Sequence, residues 1–349
     1  MESRVEKLRQ LFNQYRIDAY LVANPFNLKY LLGIDTIAGD GYGLITENEV
    51  LYITDDRYGF ELGREFPNLK TLLTRDYLGA LSEAVENLGV TVLGFEPSIA
   101  YETYDQLDEL MPSDIVPLGG LIEGLREIKD ADEIKAIETA GKMTIAGLDD
   151  VIDQLQPGMT ETEVANQLMI NMLKRGVTGT SFDTIVASGY RTAYPHVVPS
   201  DKAIQPGELV TIDCGFYFNG YTSDVTRTFV FGEATAKQQE IIRIVDEARQ
   251  SVIDAVRPGV TGAELDKVGR SIIDQAGYGE AFVHGMGHGI GLDIHEGPNI
   301  GRRFEEPLQP GQIITVEPGI YLEGFGGVRI EDDVLVTASG KTVLTRVTD

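Results

Sequence analysis

Two apolar runs in this chain end in an acid. Leu209-Val-Thr-Ile-Asp213 follows Gln205-Pro-Gly, and Ile313-Ile-Thr-Val-Glu317 follows Gln309-Pro-Gly. From 205 to 309 the offset is 104 residues. An acid at the end of a strand is costly, because burial without a partner disfavours its charge. Meeting that cost twice, at matching positions, points to one shared site. Asn219-Gly220 between alternating apolar runs predicts a two-residue hairpin turn. That register sets Asp213 against Thr226 and Asp224 against Gly215. Both acids then project from one sheet face, roughly 7–8 Å apart at the backbone. Gly215 leaves room beside Asp224, and the Thr226 hydroxyl can hold a carboxylate oxygen. Like charges this close repel unless a cation lies between them, and a divalent ion is the natural one. A solvent-facing pair on a sheet edge is the alternative. The second hairpin carries Glu317 and Glu331; its longer loop leaves the register open. Asp332 and Asp333 are expected to be solvated.

The four histidines, His196, His284, His288 and His295, all fall near these hairpins. Three lie in a glycine-rich run, His284-Gly-Met-Gly-His288-Gly-Ile-Gly-Leu-Asp-Ile-His295, where glycine permits close approach of backbone and ligand. A lone histidine is more often structural. Four concentrated beside paired acids suit a transition-metal site of the His/Asp/Glu kind. Cys214 points to the strand face opposite Asp213 and is expected to fill the core.

A second duplication supplies the elements that position these groups. Val151-Ile-Asp-Gln-Leu-Gln-Pro157-Gly-Met-Thr160-Glu-Thr-Glu163 matches Val252-Ile-Asp-Ala-Val-Arg-Pro258-Gly-Val-Thr261-Gly-Ala-Glu264, an offset of 101 residues. Each copy ends a helix at Pro-Gly and restarts one at a Thr-x-x-Glu capping box. Gly176 and Gly277 then stop the new helices. Asp130 with Glu133 opens a helix through Ile134, Ile137, Ala140 and Met143. The chain therefore divides near Gly124–Asp130 into residues 1–125 and 126–349. The larger part is a pseudo-symmetric domain with a cleft between halves. The smaller shows no catalytic constellation: an amphipathic helix (Val5, Leu8, Leu11, Phe12) and short strands at Ala19–Val22, Gly43–Thr46, Val50–Ile53 and Val90–Leu93. The fold class is α/β (α+β).

At 349 residues with a formal net charge of −26, nucleic acid and anionic membrane are excluded as partners. One cysteine rules out an internal disulfide framework and fits a reducing compartment. The amino terminus is charged and amphipathic rather than signal-like. No apolar run approaches the roughly 20 residues of a spanning helix. A cytoplasmic protein is expected.

These motifs resemble the methionine aminopeptidase/creatinase superfamily of "pita-bread" metallopeptidases. Within it the chain is similar to the proline-specific branch of prolidases (Xaa-Pro dipeptidases) and aminopeptidases P. The similarity spans the whole chain, including Asn24-Pro-x-Asn-x-x-Tyr-Leu. It implies a pseudo-twofold pita-bread catalytic domain behind a smaller creatinase-like α/β domain. It also implies two divalent metal ions per subunit, manganese being favoured over cobalt, zinc or iron. Asp213 would bind one ion, His288 and Glu317 the other, with Asp224 and Glu331 bridging; such a pair activates water. Glu317 would also shuttle the proton. His196 and His295 match residues that contact substrate, and Thr226, Arg329 and His284 would support the ligands. Asn299 stands where some prolidases carry an arginine for the dipeptide carboxylate, so Arg302 and Arg303 become the candidates for that contact. The implied substrates are small proline-containing peptides, with a slight lean to dipeptides over longer Xaa-Pro peptides. The implied assembly is a homodimer.

Overall fold

The structure, a computed structural model, describes residues 2–346. Its contacts divide into two compact units, Met1–Arg126 and Glu127–Asp349.

The first unit is a six-stranded sheet flanked by helices. Its strand order is Lys70–Leu73, Val50–Thr54, Gly41–Thr46, Ala19–Val22, Val92–Phe95, Asp114–Pro117. The three central strands from Val50–Thr54 to Ala19–Val22 fold as an antiparallel meander, and the outer strands add in parallel. Helix Glu2–Tyr15 buries Val5, Leu8 and Phe12. Asn24 caps helix Pro25–Leu32, its side chain accepting from the Phe26 and Asn27 amides, with proline in the first turn where a missing N–H costs nothing. The strand expected at Val90–Leu93 forms instead at Val92–Phe95. Gly89 adopts a left-handed φ of 67° after the preceding helix, and the Val90 amide bonds back to Val85 O at 3.1 Å. That amide belongs to the helix terminus and cannot join the ladder.

The duplication shapes the second unit. Helices Ala131–Asp153 and Glu161–Lys174 form one pair, Ala236–Ala255 and Gly262–Gln275 the other. Asp130, Thr160 and Thr261 all close reciprocal capping boxes with Glu133, Glu163 and Glu264. Gly176 and Gly277 have φ of 91° and 87° just past their helices. The turns before the acid-bearing strands repeat bond for bond. Gln205 N donates to Glu208 Oε2 (3.0 Å), and Gln309 N to Gln312 Oε1 (2.8 Å). Thr160 bridges Ala203 as Thr261 bridges Pro307. Each half has its own apolar core. Leu148, Val164, Leu168, Ile212 and Cys214 lie in one, with Cys214 fully buried; Val245, Val252, Leu265, Ile314 and Val334 lie in the other. No helix among the described residues is long and apolar enough to cross a membrane.

Candidate metal centre

The first hairpin folds in the expected register. Phe218 pairs with Tyr221 around Asn219 (φ 51°) and Gly220 (φ 82°), and Asp213 pairs with Thr226. Asp224 falls in the break between strands Tyr221–Thr222 and Val225–Val230. A Cβ on Gly215 would lie 2.4 Å from Ser223 O and 2.3 Å from Ser181 Oγ, so only glycine lets the chain bend here.

The second hairpin holds one register across two sheets. Val316 faces Asp332 in one and Gly319 faces Arg329 in the other, which sets Glu317 opposite Glu331. The halves are matched in backbone and mismatched in chemistry. Gly215 and Gly319 correspond, yet the residue across from the first is Asp224 and across from the second is Arg329. Asp213 faces a threonine where Glu317 faces an acid.

His288 comes from strand Gly287–Gly289, between strands Glu296–Ile300 and Ile313–Val316. A Cβ on Gly287 would meet Thr315 O at 2.0 Å, and one on Gly289 would meet Gly297 O at 2.0 Å. The glycines around His288 thus let three backbones pack tightly enough to aim its ring.

Asp213, Asp224, His288, Glu317 and Glu331 all line one cavity of about 380 Å³, together with His196, His284, His295 and Arg329. One ligand atom from each of Asp224, His288 and Glu331 lies within 4.8 Å of the other two. His288 Nε2 is 3.6 Å from Asp224 Oδ2 and 3.7 Å from Glu317 Oε1. Its Nδ1 lies 3.0 Å from Gly289 O. A carbonyl only accepts, so Nδ1 carries the hydrogen and Nε2 faces the acids with a free lone pair. The His295 ring sits 4.5 Å from the His288 ring, centroid to centroid.

The buried acids strain against one another. Burial, then the charges of Glu331 and Asp213, push Asp224 well above the usual carboxylate range. Burial, then Glu317 and Asp213, do the same to Glu331. Burial raises Glu317 to about 7, with Arg329 opposing. Burial holds His284 down at about 4 and lowers His288 and His295, so the imidazoles are neutral donors near neutral pH. Asp213 Oδ1 is buried with no hydrogen-bond partner. Crowded carboxylates, a lone pair aimed at them and an orphaned carboxylate oxygen form a donor set that fits divalent cations.

A chain of bonds braces this set. Arg329 Nη2 donates to Asp213 Oδ2 at 2.5 Å, and Nε to Thr226 Oγ1 at 3.1 Å. Thr226 Oγ1 donates to Glu331 Oε2 at 2.6 Å. Arg329 Nη1 donates to the Tyr321 hydroxyl at 2.7 Å, and that hydroxyl bonds His284 Nε2 at 2.8 Å. His284 Nδ1 is committed to Gly285 O, so the tyrosine donates to Nε2. Tyr321 was not singled out from the sequence. Its signal was the duplication itself: Asp213-Cys-Gly-Phe-Tyr217 aligns with Glu317-Pro-Gly-Ile-Tyr321. We predict that Tyr321→Phe lowers kcat/KM about tenfold, by loosening Arg329 on Asp213. Steady-state kinetics with a manganese titration tests it; unchanged values in both would refute the brace.

Two expectations need correction. Asp332 and Asp333 are not solvated: they are 3% and 0% exposed. Asp332 pairs with Arg227 (2.8 Å) and Arg249. Asp333 Oδ2 accepts the Asp224 amide at 3.1 Å, so it helps fix the first hairpin to the second. Nor do Arg302 and Arg303 reach the cavity. Both are exposed and line an adjoining depression with Val283, His284 and Phe304.

Fold and site together define a metal-dependent enzyme of the pita-bread architecture. Residues 135–338 match metallopeptidase family M24, and residues 4–128 match the creatinase/prolidase N-terminal domain. The chain belongs to metallopeptidase family M24. It is 39% identical over 348 residues to the Xaa-Pro dipeptidase of Pyrococcus horikoshii, covering 99% of this chain and 97% of that one. An uncharacterized peptidase of Bacillus subtilis is 38% identical over 348 residues, with 98% and 97% covered. Among solved structures, an Xaa-Pro dipeptidase from Bacillus anthracis superposes with a TM-score of 0.96 at 39% identity, covering 100% of this chain and 98% of that one. The X-Pro aminopeptidase from Thermotoga maritima gives 0.91 at 35%, with 99% and 98% covered.

Proposed function

We propose that this enzyme hydrolyses the peptide bond before proline in small peptides, using two divalent ions, manganese by preference. The observation that carries this is the convergence of four acids and His288 on one cavity, in a chain similar along its length to Xaa-Pro dipeptidases. Asp213, Asp224, His288, Glu317 and Glu331 would hold the ions. When bound, such a pair supplies Lewis acidity toward the scissile carbonyl and lowers the pKa of water.

The side chains do the rest. Glu317 Oε1 lies 3.4 Å from the Thr315 hydroxyl, which leaves Oε2 to take a proton from the attacking water. The same oxygen then returns that proton to the prolyl nitrogen. A bond before proline is a tertiary amide without an N–H. Recognition therefore falls on the carbonyl and on the ring, the task of His196 and His295 at the cavity wall.

A second reading, longer Xaa-Pro peptides, is favoured by one observation. The only arginine lining the cavity, among the described residues, is Arg329, and it is engaged by Asp213 and Tyr321. A dipeptide's free carboxylate meets no unpaired guanidinium there. Comparing kcat/KM for Xaa-Pro dipeptides and Xaa-Pro-Yaa tripeptides, with manganese or cobalt added, decides between the two. Activity confined to peptides without proline would refute both.

A further inference from the structure

The segment from Gly189 to Ser200 carries His196 along one wall of the cavity, and Tyr190, Tyr194 and Val198 on it are 55%, 51% and 74% exposed. With these apolar side chains left open, the stretch has little apolar burial to fix its shape. One side chain ties its two ends together. Glu161, the first residue of helix Glu161–Lys174, is 0% exposed and accepts five hydrogen bonds. Oε1 takes the amide (2.8 Å) and hydroxyl (2.9 Å) of Ser188, where the segment begins. Oε2 takes Arg191 Nε (2.9 Å), and the amide (3.1 Å) and hydroxyl (2.8 Å) of Ser200, where it ends. Arg191 Nη2 reaches on to Val198 O at 2.7 Å. Lys202 Nζ braces the Ser188 hydroxyl at 2.9 Å and pairs with Glu208. The middle of the segment is held separately, by Gly327 N on the Thr192 hydroxyl and Arg329 Nη1 on Pro195 O.

The duplication shows that this clamp is an addition. Glu161 follows the cap Thr160; the equivalent after Thr261 is Gly262. The backbone contact is kept in both halves: Thr162 N bonds Ser200 O, and Ala263 N bonds Phe304 O. A Cβ on Gly262 would strike Asn299 O at 2.5 Å, so the second half leaves no room for a side chain. Only the half that carries His196 has a carboxylate at this position.

The geometry assigns Glu161 as a positioning residue: it ties both ends of the 189–200 segment and so sets His196 for the substrate. This inference rests on the proposed substrate contact of His196. A carboxylate is needed because every one of its five partners donates. In Glu161→Gln the amide nitrogen must face donors on one side and release either Ser188 or the Arg191–Ser200 pair.

The test is Glu161→Gln, with Arg191→Ala and Ser200→Ala removing single bonds from the segment side should the helix variant fail to fold. Expected for Glu161→Gln is a rise in KM of about tenfold for Xaa-Pro peptides, a smaller change in kcat and unchanged manganese content. Amide hydrogen exchange across 189–200 accelerates, and Ser200→Thr, which keeps the hydroxyl, behaves as the parent. In a His196→Ala background the Glu161→Gln change adds less than about twofold to KM, because its effect runs through the histidine. Folded variants with unchanged exchange across 189–200, or accelerated exchange with unchanged KM, overturn the assignment. Failure of the parent enzyme on Xaa-Pro peptides would sink the proposed function instead, and the exchange measurement would still judge the clamp.

Discussion

Asp224→Asn removes peptide hydrolysis, with an expected loss on the order of 10³-fold in kcat/KM, while raising the melting temperature of the metal-free protein. The two effects have one cause. Asp224 is 5% exposed and faces the charges of Glu331, Asp213, Asp333 and Glu317. Without cations that is a buried cluster of crowded carboxyls, which must repel one another or take up protons at a cost, held together by the rest of the fold. Asparagine keeps the shape and the backbone bond from residue 224 to Asp333, and it removes a carboxyl that in the metal-free fold must either carry charge among like charges or hold a proton at a cost. Its amide also brings donors to the neighbouring acids. Relief of about 1–3 kcal/mol is expected, or about 2–4 °C per kcal/mol for a domain of this size. The same change deletes an anionic donor that the ions need. Thermal melts in chelator and kcat/KM in manganese give the two readouts. A folded variant that keeps its activity, or that melts lower than the parent in chelator, would refute the role given to Asp224.

Much of this site is legible in the sequence. Asn219-Gly220 fixed the register of the first hairpin because a two-residue turn admits one pairing, so Asp213 and Thr226 could be set face to face by counting. The capping boxes at Thr160 and Thr261 were equally local. The rest depended on distant partners. Asp332 and Asp333 looked like a solvated pair because acids usually are. What buries them is Arg227, Arg249 and the Asp224 amide, all far along the chain. Arg302 and Arg303 were drawn to the site by nearness in sequence, but the chain around Gly301 carries them to an adjoining depression. Val90 had a strand's composition, yet its amide was already used by the helix before it.

The duplication explains both the cage and its asymmetry. Two copies of turn, strand and hairpin bring four acids to one cavity, which a single copy could not do. Identical halves would have failed, however. Had Arg329 also been an acid, as Asp224 is at the corresponding place, nothing would pin Asp213. Had Thr226 been an acid, as Glu331 is, the repulsion would have grown without a new donor. The half that kept Arg329 and the half that kept Thr226 together hold the carboxylates of both, through Arg329 on Asp213 and Thr226 on Glu331. Glu161 opposite Gly262 is the same kind of divergence, one layer further out.

The metal-free protein should lose stability as pH rises from 6.5 to 8, and added manganese should reverse that trend. Glu317 moves from 4.5 to about 7 on folding, while Asp224 and Glu331 move well above their ordinary range. A carboxyl with a raised folded pKa stays protonated in the folded state after the unfolded chain has released its proton. The folded state therefore binds more protons, and stability falls with rising pH until the folded pKa is passed. Each such group contributes about 1.4 kcal/mol per pH unit. The histidines work oppositely. His284, His288 and His295 have lowered folded values, so they destabilise increasingly as pH falls through about 6.5, and their opposing slope fades by about pH 7.5 as the unfolded chain releases its protons. From pH 6.5 to 8 the acids outweigh the fading histidine contribution, with Glu317 passing its midpoint near 7 and the other two continuing. Bound cations hold the acids ionised, and their affinity grows as protons leave, so the loaded enzyme should gain stability across the same window. Melting temperatures at several pH values, with chelator and with manganese, measure both slopes. A metal-free protein that grows more stable from pH 6.5 to 8 would show that these acids do not crowd one another as the geometry requires.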